Sequence, residues 1–225
     1  YSTGAPVEIP SQLVFWNYRH GNAVPIRNEK VLVHGTTSGC AGHFSKEEAV
    51  LSGLLELIQR DAFLVFWLNQ ISPPIIDAHT LKNPDVDELL QYCKRYLLDV
   101  TFLNTTADIA VPSITCVITD NHSPDSPVIS IGAATGFDIP HLCIHSALEA
   151  LSVNEYAASL PTFNLPDAYT PFLQKGIARD ERLSAWKGKL MAQRLSFLTS
   201  GPTRDPREIC APIEHLQTPQ SQLEY

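Results

Sequence analysis

The stretch from Ser45 to the pair Pro73-Pro74 constrains the fold more than any other part of the chain. Ser45 is a good N-cap, and Glu47 and Glu48 follow in the first turn, where the helix dipole favours carboxylates. The apolar spacing predicts a helix from Lys46 to about Leu68, and Pro73-Pro74 prevents continuation. On a wheel at about 100° per residue, Glu48, Ser52, Glu56 and Gln59 fall within an arc of roughly 80°. Val50, Leu51, Leu54, Leu55, Leu57 and Ile58 take most of the remaining girth. Such a helix is expected to be largely buried. Its narrow polar stripe must then face water, a partner group or a site.

A second helix of the same kind is expected from Pro140 to Ser159, with Asp138 as its cap and proline in its first turn. His141, His145, Glu149, Ser152 and Tyr156 fall on one arc, opposite Leu142, Ile144, Ala147, Leu148 and Leu151. The two helices could bring Glu48, Glu56 and Glu149 around one cleft. Carboxylates in such stripes suit hard, oxygen-loving cations such as Mg²⁺. Glu48 and Glu56 lie about 12 Å apart along the axis, so they would serve different ions along a polyphosphate rather than chelate one.

The remaining elements follow from turn and alternation signals. Gln12 to Tyr18 and Val31 to Val33 read as strands, and 34–42 as a loop of small residues. Asn83-Pro84-Asp85 opens a helix expected over 86–98. Val100 to Leu103, Ile114 to Thr119 and Val128 to Ile131 read as strands, the last two joined by the turn-rich 120–127. Gly132 to Gly136 reads as a loop leading into the next helix, Asp180 to Leu198 as a last long helix, and the tail from Gly201 as loop. Strand pairs mixed with helices give an α/β (α+β) fold with a mixed sheet packed against long helices.

Composition narrows the function classes. The 225 residues suffice for one large domain or two small ones. Hydrophobic content of 44% makes the chain globular. Sixteen basic against twenty-four acidic residues give a net charge of −8. That balance disfavours a grip on nucleic-acid polymers, though not on a nucleotide in a local pocket. The longest apolar run, Ala62 to Leu68, is seven residues, far short of a membrane span of about 20. Five widely spaced cysteines make a poor disulfide framework and fit a reducing cytoplasm. Tyr1 is not followed by a charged-then-apolar leader, and a start at Tyr1 suggests a chain cut from something longer.

Several constellations compete for chemistry. His34, Cys40 and His43 in one loop have the residue types of a nucleophile with a base, though a free cysteine is more often simply packed. His141 and His145, one turn apart, could bind zinc as a pair in a metal-dependent hydrolase, but no further ligand has suitable spacing. Gly132 to Gly136 before a helix could cradle phosphate, without the lysine of a P-loop.

The residues from Thr36 to Asp61, TTSGCAGHFSKEEAVLSGLLELIQRD, resemble the central signature of the YcaO family. That signature has the form (S/T)-(T/S)-N-G-x-A-x-G-N-(S/T)-x-x-E-A, followed by a helix carrying E-x-x-E-R. Upstream IPSQLVFWNY and downstream VPSITCVITD, ISIGAATG and the Glu149 helix resemble the family's flanking elements. The resemblance covers about residues 8 to 160. It implies binding of ATP and Mg²⁺ through helix-borne glutamates. It also implies activation of a peptide backbone amide, giving an azoline from Cys, Ser or Thr, or a thioamide, in ribosomal-peptide maturation.

Carried over residue by residue, the resemblance gives Glu48, Glu56 and Glu149 to metal. It gives Glu48, Glu56, Gln59, Arg60, His145, Glu149 and Ser152 to the nucleotide site, and assigns no residue to the chemical step. Four departures from the pattern matter. Phe44 replaces asparagine, Gln59 the second glutamate, His145 a customary arginine and Ser152 a glutamine. Arginine to histidine loses a permanent charge and a bidentate fork. The resemblance therefore implies either a divergent ATP-dependent enzyme or a non-catalytic scaffold. Expected partners are a peptide substrate, a leader-binding or cyclase protein, or a second copy of the chain. The first acidic helix of the family has no counterpart here. Residues 1–200 thus read as a YcaO-like domain lacking its N-terminal part, and 201–225 as loop or the start of a further segment.

Overall fold

A computed structural model describes residues 6, 8–14, 36–122, 128–160, 187–209 and 218–224. Helix α1 spans Ser11–Val14, and α2 spans Lys46–Asn69. Strand β1 is Ile75–Ile76, followed by a 3₁₀ turn over Ala78–Leu81. Helix α3 is Pro84–Arg95, β2 is Leu98–Asn104, β3 is Ser113–Asp120, β4 is Val128–Thr135 and α4 is Ile139–Ser159. Then come α5 (Lys189–Leu195), a 3₁₀ turn over Ser196–Thr199, β5 (Thr203–Arg204), α6 (Pro206–Ile209) and α7 (Pro219–Glu224).

The five strands form one sheet in the order β4-β3-β2-β1-β5. Neighbours are antiparallel except β5, which runs parallel to β1. The fold is therefore α/β with a mixed sheet, as expected. Central β3 is buried along nearly its whole length because both sheet faces are covered. One face carries Phe102, Ile114, Cys116 and Ala134 against α4, with α3 packed alongside. The other carries Leu103, Val117 and Ile129 against Leu195 and Leu198, with Trp67 of α2 beside them. The two helices with polar stripes thus lie on opposite faces of the sheet.

Local chemistry sets most boundaries. Ser45 Oγ accepts from Glu48 N at the start of α2, and Asp138 Oδ1 accepts from His141 N at the start of α4. Gln70, at φ 53°, stops α2 in the left-handed conformation. Asn83 caps α3 by accepting from Asp85 N and Val86 N.

Five expectations need correction. The helix read over 86–98 ends at Arg95, because Leu97 turns left-handed at φ 59° and sends the chain into β2. Of the strand read at Gln12 to Tyr18, the first three residues are helical, closed by Leu13 N donating to Pro10 O. The rest of it, and Val31 to Val33, lie outside the described residues. The glycine loop at 132–136 is instead mostly strand: β4 continues to Thr135. Gly132 serves close packing, since a Cβ there would sit 2.2 Å from Ser146 O on α4. The long helix read from Asp180 begins only at Lys189 among the described residues, because Gly188 takes φ 90° and Lys187 bridges to Val128. The tail read as loop supplies β5, which extends the sheet beyond β1.

Candidate functional site

The loop 36–43 and the first half of α2 form one unit. Cys40 N donates to Thr37 O across a turn whose third residue, Gly39, has φ 79°. A type II turn demands glycine at that place. The turn points Gly39 N–H at Glu56, whose Oε2 accepts it at 2.8 Å. About one turn earlier on α2, Gly53 lets the loop approach: a Cβ there would come within 2.6 Å of Gly39 O. Arg60 closes on the other oxygen of Glu56, with Nε and a terminal nitrogen 3.0 and 2.8 Å from Oε1. Both Glu56 oxygens are therefore engaged by donors, and the loop is tied to the helix through them.

Glu48 sits at the entrance of α2. Its Oε2 accepts from Ser45 Oγ at 2.7 Å and lies 2.7 Å from His43 Nδ1. The hydrogen bond from Ser45 holds the Glu48 carboxyl below the usual carboxylate range, against an opposing effect of desolvation and with further lowering from His43. His43 falls where the family pattern has glycine. Phe44 beside it is fully exposed, its ring edge-on to His43 at 5.8 Å.

Glu149 lies on the outer edge of the sheet. Strand β4 is the edge strand, and its Ala133 N–H donates to Glu149 Oε2 at 2.8 Å. An edge N–H needs a partner, and Glu149 supplies one. The remaining residues scatter. Gln59 is half-buried on α2. His145 is exposed, its ring 5.8 Å from that of His141. Ser152 Oγ donates to Leu148 O within its own helix. Cys40 is exposed, whereas Cys93, Cys116 and Cys143 are buried. Burial pushes the Cys116 thiol well above its usual range. His34, proposed as a partner of Cys40, lies outside the described residues.

The structure thus joins Glu56 with Arg60, and Glu48 with His43, and it sets Glu149 against β4. Among the described residues no three His, Cys, Asp or Glu side chains converge as a metal-holding group. The donor set fits Mg²⁺ in kind: hard carboxylate oxygens on three glutamates, with Glu48 and Glu149 each engaged through one oxygen and Glu56 through both. The histidine pair gains no third ligand among the described residues, so a zinc centre there has no support. The backbone donors of Gly39 and Ala133 were not legible in the sequence, because no spacing rule links residues 17 or 16 positions apart.

Fold and site together define an α/β domain whose flanking helices carry positioned carboxylates. The family model described as YcaO cyclodehydratase, ATP- and Mg²⁺-binding, matches residues 1–223. The chain belongs to the YcaO family. It is 28% identical over 142 residues to an uncharacterized protein of Methanothermobacter thermautotrophicus, covering 63% of this chain and 36% of that protein. Its fold is similar to a heterocyclase solved in complex with substrate and cofactor. That match has a TM-score of 0.70 and 21% identity, over 89% of this chain and 24% of that one. It also resembles the heterocyclase TruD, with a TM-score of 0.56 and 23% identity, over 78% of this chain and 23% of that one. The chain thus spans only about a third of the curated relative and a quarter of these structures. No helix among the described residues is long and apolar enough to cross a membrane.

Proposed function

We propose that this chain forms the nucleotide-handling part of an ATP- and Mg²⁺-dependent enzyme acting on peptide backbone amides. The product is an azoline from Cys, Ser or Thr, or a thioamide, in the maturation of a ribosomal peptide. The observation that carries the reading is the fixed state of Glu48, Glu56 and Glu149 in the matching family positions. Mg-ATP, when bound, supplies the electrophilic phosphoryl group that activates the amide oxygen. The chain's own residues position the rest. Glu48 and Glu56 present carboxylates along α2, and Glu149 presents a third from the far side of β4. Arg60 fixes Glu56 by donating from Nε and a terminal nitrogen to the single oxygen Oε1, and stands beside it as a cation for phosphate. Gln59, His145 and Ser152 complete the proposed nucleotide surface with neutral or titratable groups.

Support for a bound substrate comes from the similar heterocyclase solved in complex with substrate and cofactor. A reducing, cytoplasmic setting is supported by the free thiols of Cys40, Cys93, Cys116 and Cys143. The test is isothermal titration of the full-length gene product with Mg-ATP. Saturable binding that weakens at least tenfold in Glu149→Gln is expected; no binding by folded protein overturns the reading.

A second reading rests on Phe44, which is fully exposed and makes no hydrogen bond to Glu48 or Glu56. In it the chain is a non-catalytic scaffold that holds a peptide or a cyclase. Capture of a leader peptide without ATP hydrolysis would favour it, and robust hydrolysis by the purified protein would remove it.

A further inference from the structure

Helix α3 carries a shallow groove that takes no part in the site described above. It is lined by Pro84, Asp87, Glu88, Gln91, Lys94 and Arg95. On a wheel at about 100° per residue these six fall within an arc of roughly 120°. Val86 and Cys93, on the opposite side of the helix, are fully buried, and Val86 belongs to the core of Phe102 and Ile118. Packing therefore turns the charged face outward. Glu88, Gln91, Lys94 and Arg95 are exposed, and Asp87 is half-buried.

The charges on this face are ordered about Gln91. Asp87 and Glu88 stand four and three residues before it, and Arg95 and Lys94 stand four and three after it. The helix dipole favours acids at the start and bases at the end, but it does not require them to share one face with a groove. Within one copy the opposite charges do not meet. None of the acidic and basic residues is three or four positions from the other, the spacing at which helix side chains touch. Among the described residues Asp87, Glu88 and Lys94 join no ion pair. The Arg95 guanidinium lies 5.7 Å from the centre of the Tyr92 ring.

The geometry points to a second copy of this chain as the occupant of the groove. Two α3 helices pack antiparallel about a two-fold axis beside Gln91, and the acidic pair of each copy faces the basic pair of the other. Such a contact is self-complementary and closes on itself. All four charges of each copy find opposite partners, and the two Gln91 amides meet, each able to donate and accept. A parallel pairing would set like charge against like. Tyr92, 42% exposed, flanks the seam and adds apolar surface. Helix α3 is about 18 Å long, so the interface is small. The dimer is accordingly weak, with a Kd of roughly 100 µM, and sensitive to salt.

The test is sedimentation velocity of the full-length protein at low and high salt. Wild type is expected to dimerise, with Kd weakened about tenfold between roughly 50 and 500 mM salt. Glu88→Lys and Arg95→Glu, each alone, set like charges together and should weaken the dimer at least about fivefold. An equal mixture of the two variants should dimerise as wild type does, because each reversed side chain then faces its opposite. Recovery in the mixture also shows that both variants fold. Gln91→Cys, beside the axis, is expected to join the two copies through the introduced thiols under mild oxidation, with the link located by mass spectrometry. No self-association of wild type at low salt overturns the interface. So does a mixture that fails to recover, or a dimer that neither reversal weakens and that Gln91→Cys does not link. None of these outcomes touches the nucleotide reading, since the groove shares no residue with it.

Discussion

Helices α4 and α2 look alike in sequence and are used differently. Both are long, apolar over most of their girth and marked by a narrow polar stripe. Helix α4 meets the sheet through Leu142, Cys143, Ala147 and Ala150, all buried, and Gly132 on β4 lets its backbone approach closely. Helix α2 buries only Leu51, Gly53, Ile58 and Ala62, while Leu54, Leu57, Leu64 and Leu68 remain exposed. The expectation that α2 is largely buried is thus not met. The reason lies in the partner surface. Strands β3 and β4 present small residues that accept α4 along its length, whereas α2 touches the sheet at fewer points and gives its first half to the 36–43 loop. One helix is fastened by packing, the other by hydrogen bonds to a loop.

That contrast can be broken most directly at Gly132. Replacing it with valine puts a branched side chain where even a Cβ meets Ser146 O at 2.2 Å and Ala150 N at 2.5 Å. A loss of about 3 kcal/mol is expected, read as a lower urea midpoint. A loss under about 1 kcal/mol would mean that α4 is not seated as described. The corresponding change on α2, Gly53→Ala, should behave otherwise. Its Cβ would meet Gly39 O at 2.6 Å, but the loop can move and alanine favours the helix. Stability is expected to stay within about 1 kcal/mol, while Mg-ATP binding weakens because Gly39 N–H no longer reaches Glu56. Unchanged binding would detach the loop from the site.

Thiol labelling sharpens the same contrast with a smaller perturbation. Cys40, exposed on the α2 side, should react with iodoacetamide in the native protein. Cys116 on β3 and Cys143 on the sheet-facing side of α4 should react only after unfolding, since both are buried and burial raises the Cys116 thiol. Mass spectrometry of native and urea-treated samples reads the difference, and rapid native labelling of Cys116 would contradict it. The smallest effect is expected from Leu68→Gln on the outer face of α2. Leu68 is 71% exposed, so the stability change should lie within about 0.5 kcal/mol. A loss of about 2 kcal/mol would show that this face is covered in solution.

The helix starts were legible because capping is local. Ser45, Asn83 and Asp138 each act within three residues; Ser45 and Asp138 cap as read, and Asn83 caps the helix that Asn83-Pro84-Asp85 was read to open. The motif from Thr36 to Asp61 was legible for the same reason: turn, cap and helix stripe lie on one continuous segment. Strand β1 was hidden because two residues after Pro73-Pro74 carry no alternation, and they become strand only by pairing with Leu103 and Phe102. Strand β5 was hidden because its partner lies far away in sequence. Gly132 misled because glycine usually marks turns, and only the nearness of α4 shows why a strand needs one there.

The sequence by itself determined the α/β character, the long helices and which carboxylates ride on them, because caps, periods and turn residues act over a few positions. Only the tertiary structure decided that α2 and α4 take opposite faces of the sheet. It also decided that Glu56 receives Gly39, that Glu149 receives Ala133 and that His43 lies against Glu48. Those contacts depend on where the backbone passes in space, and neither composition nor spacing encodes that directly.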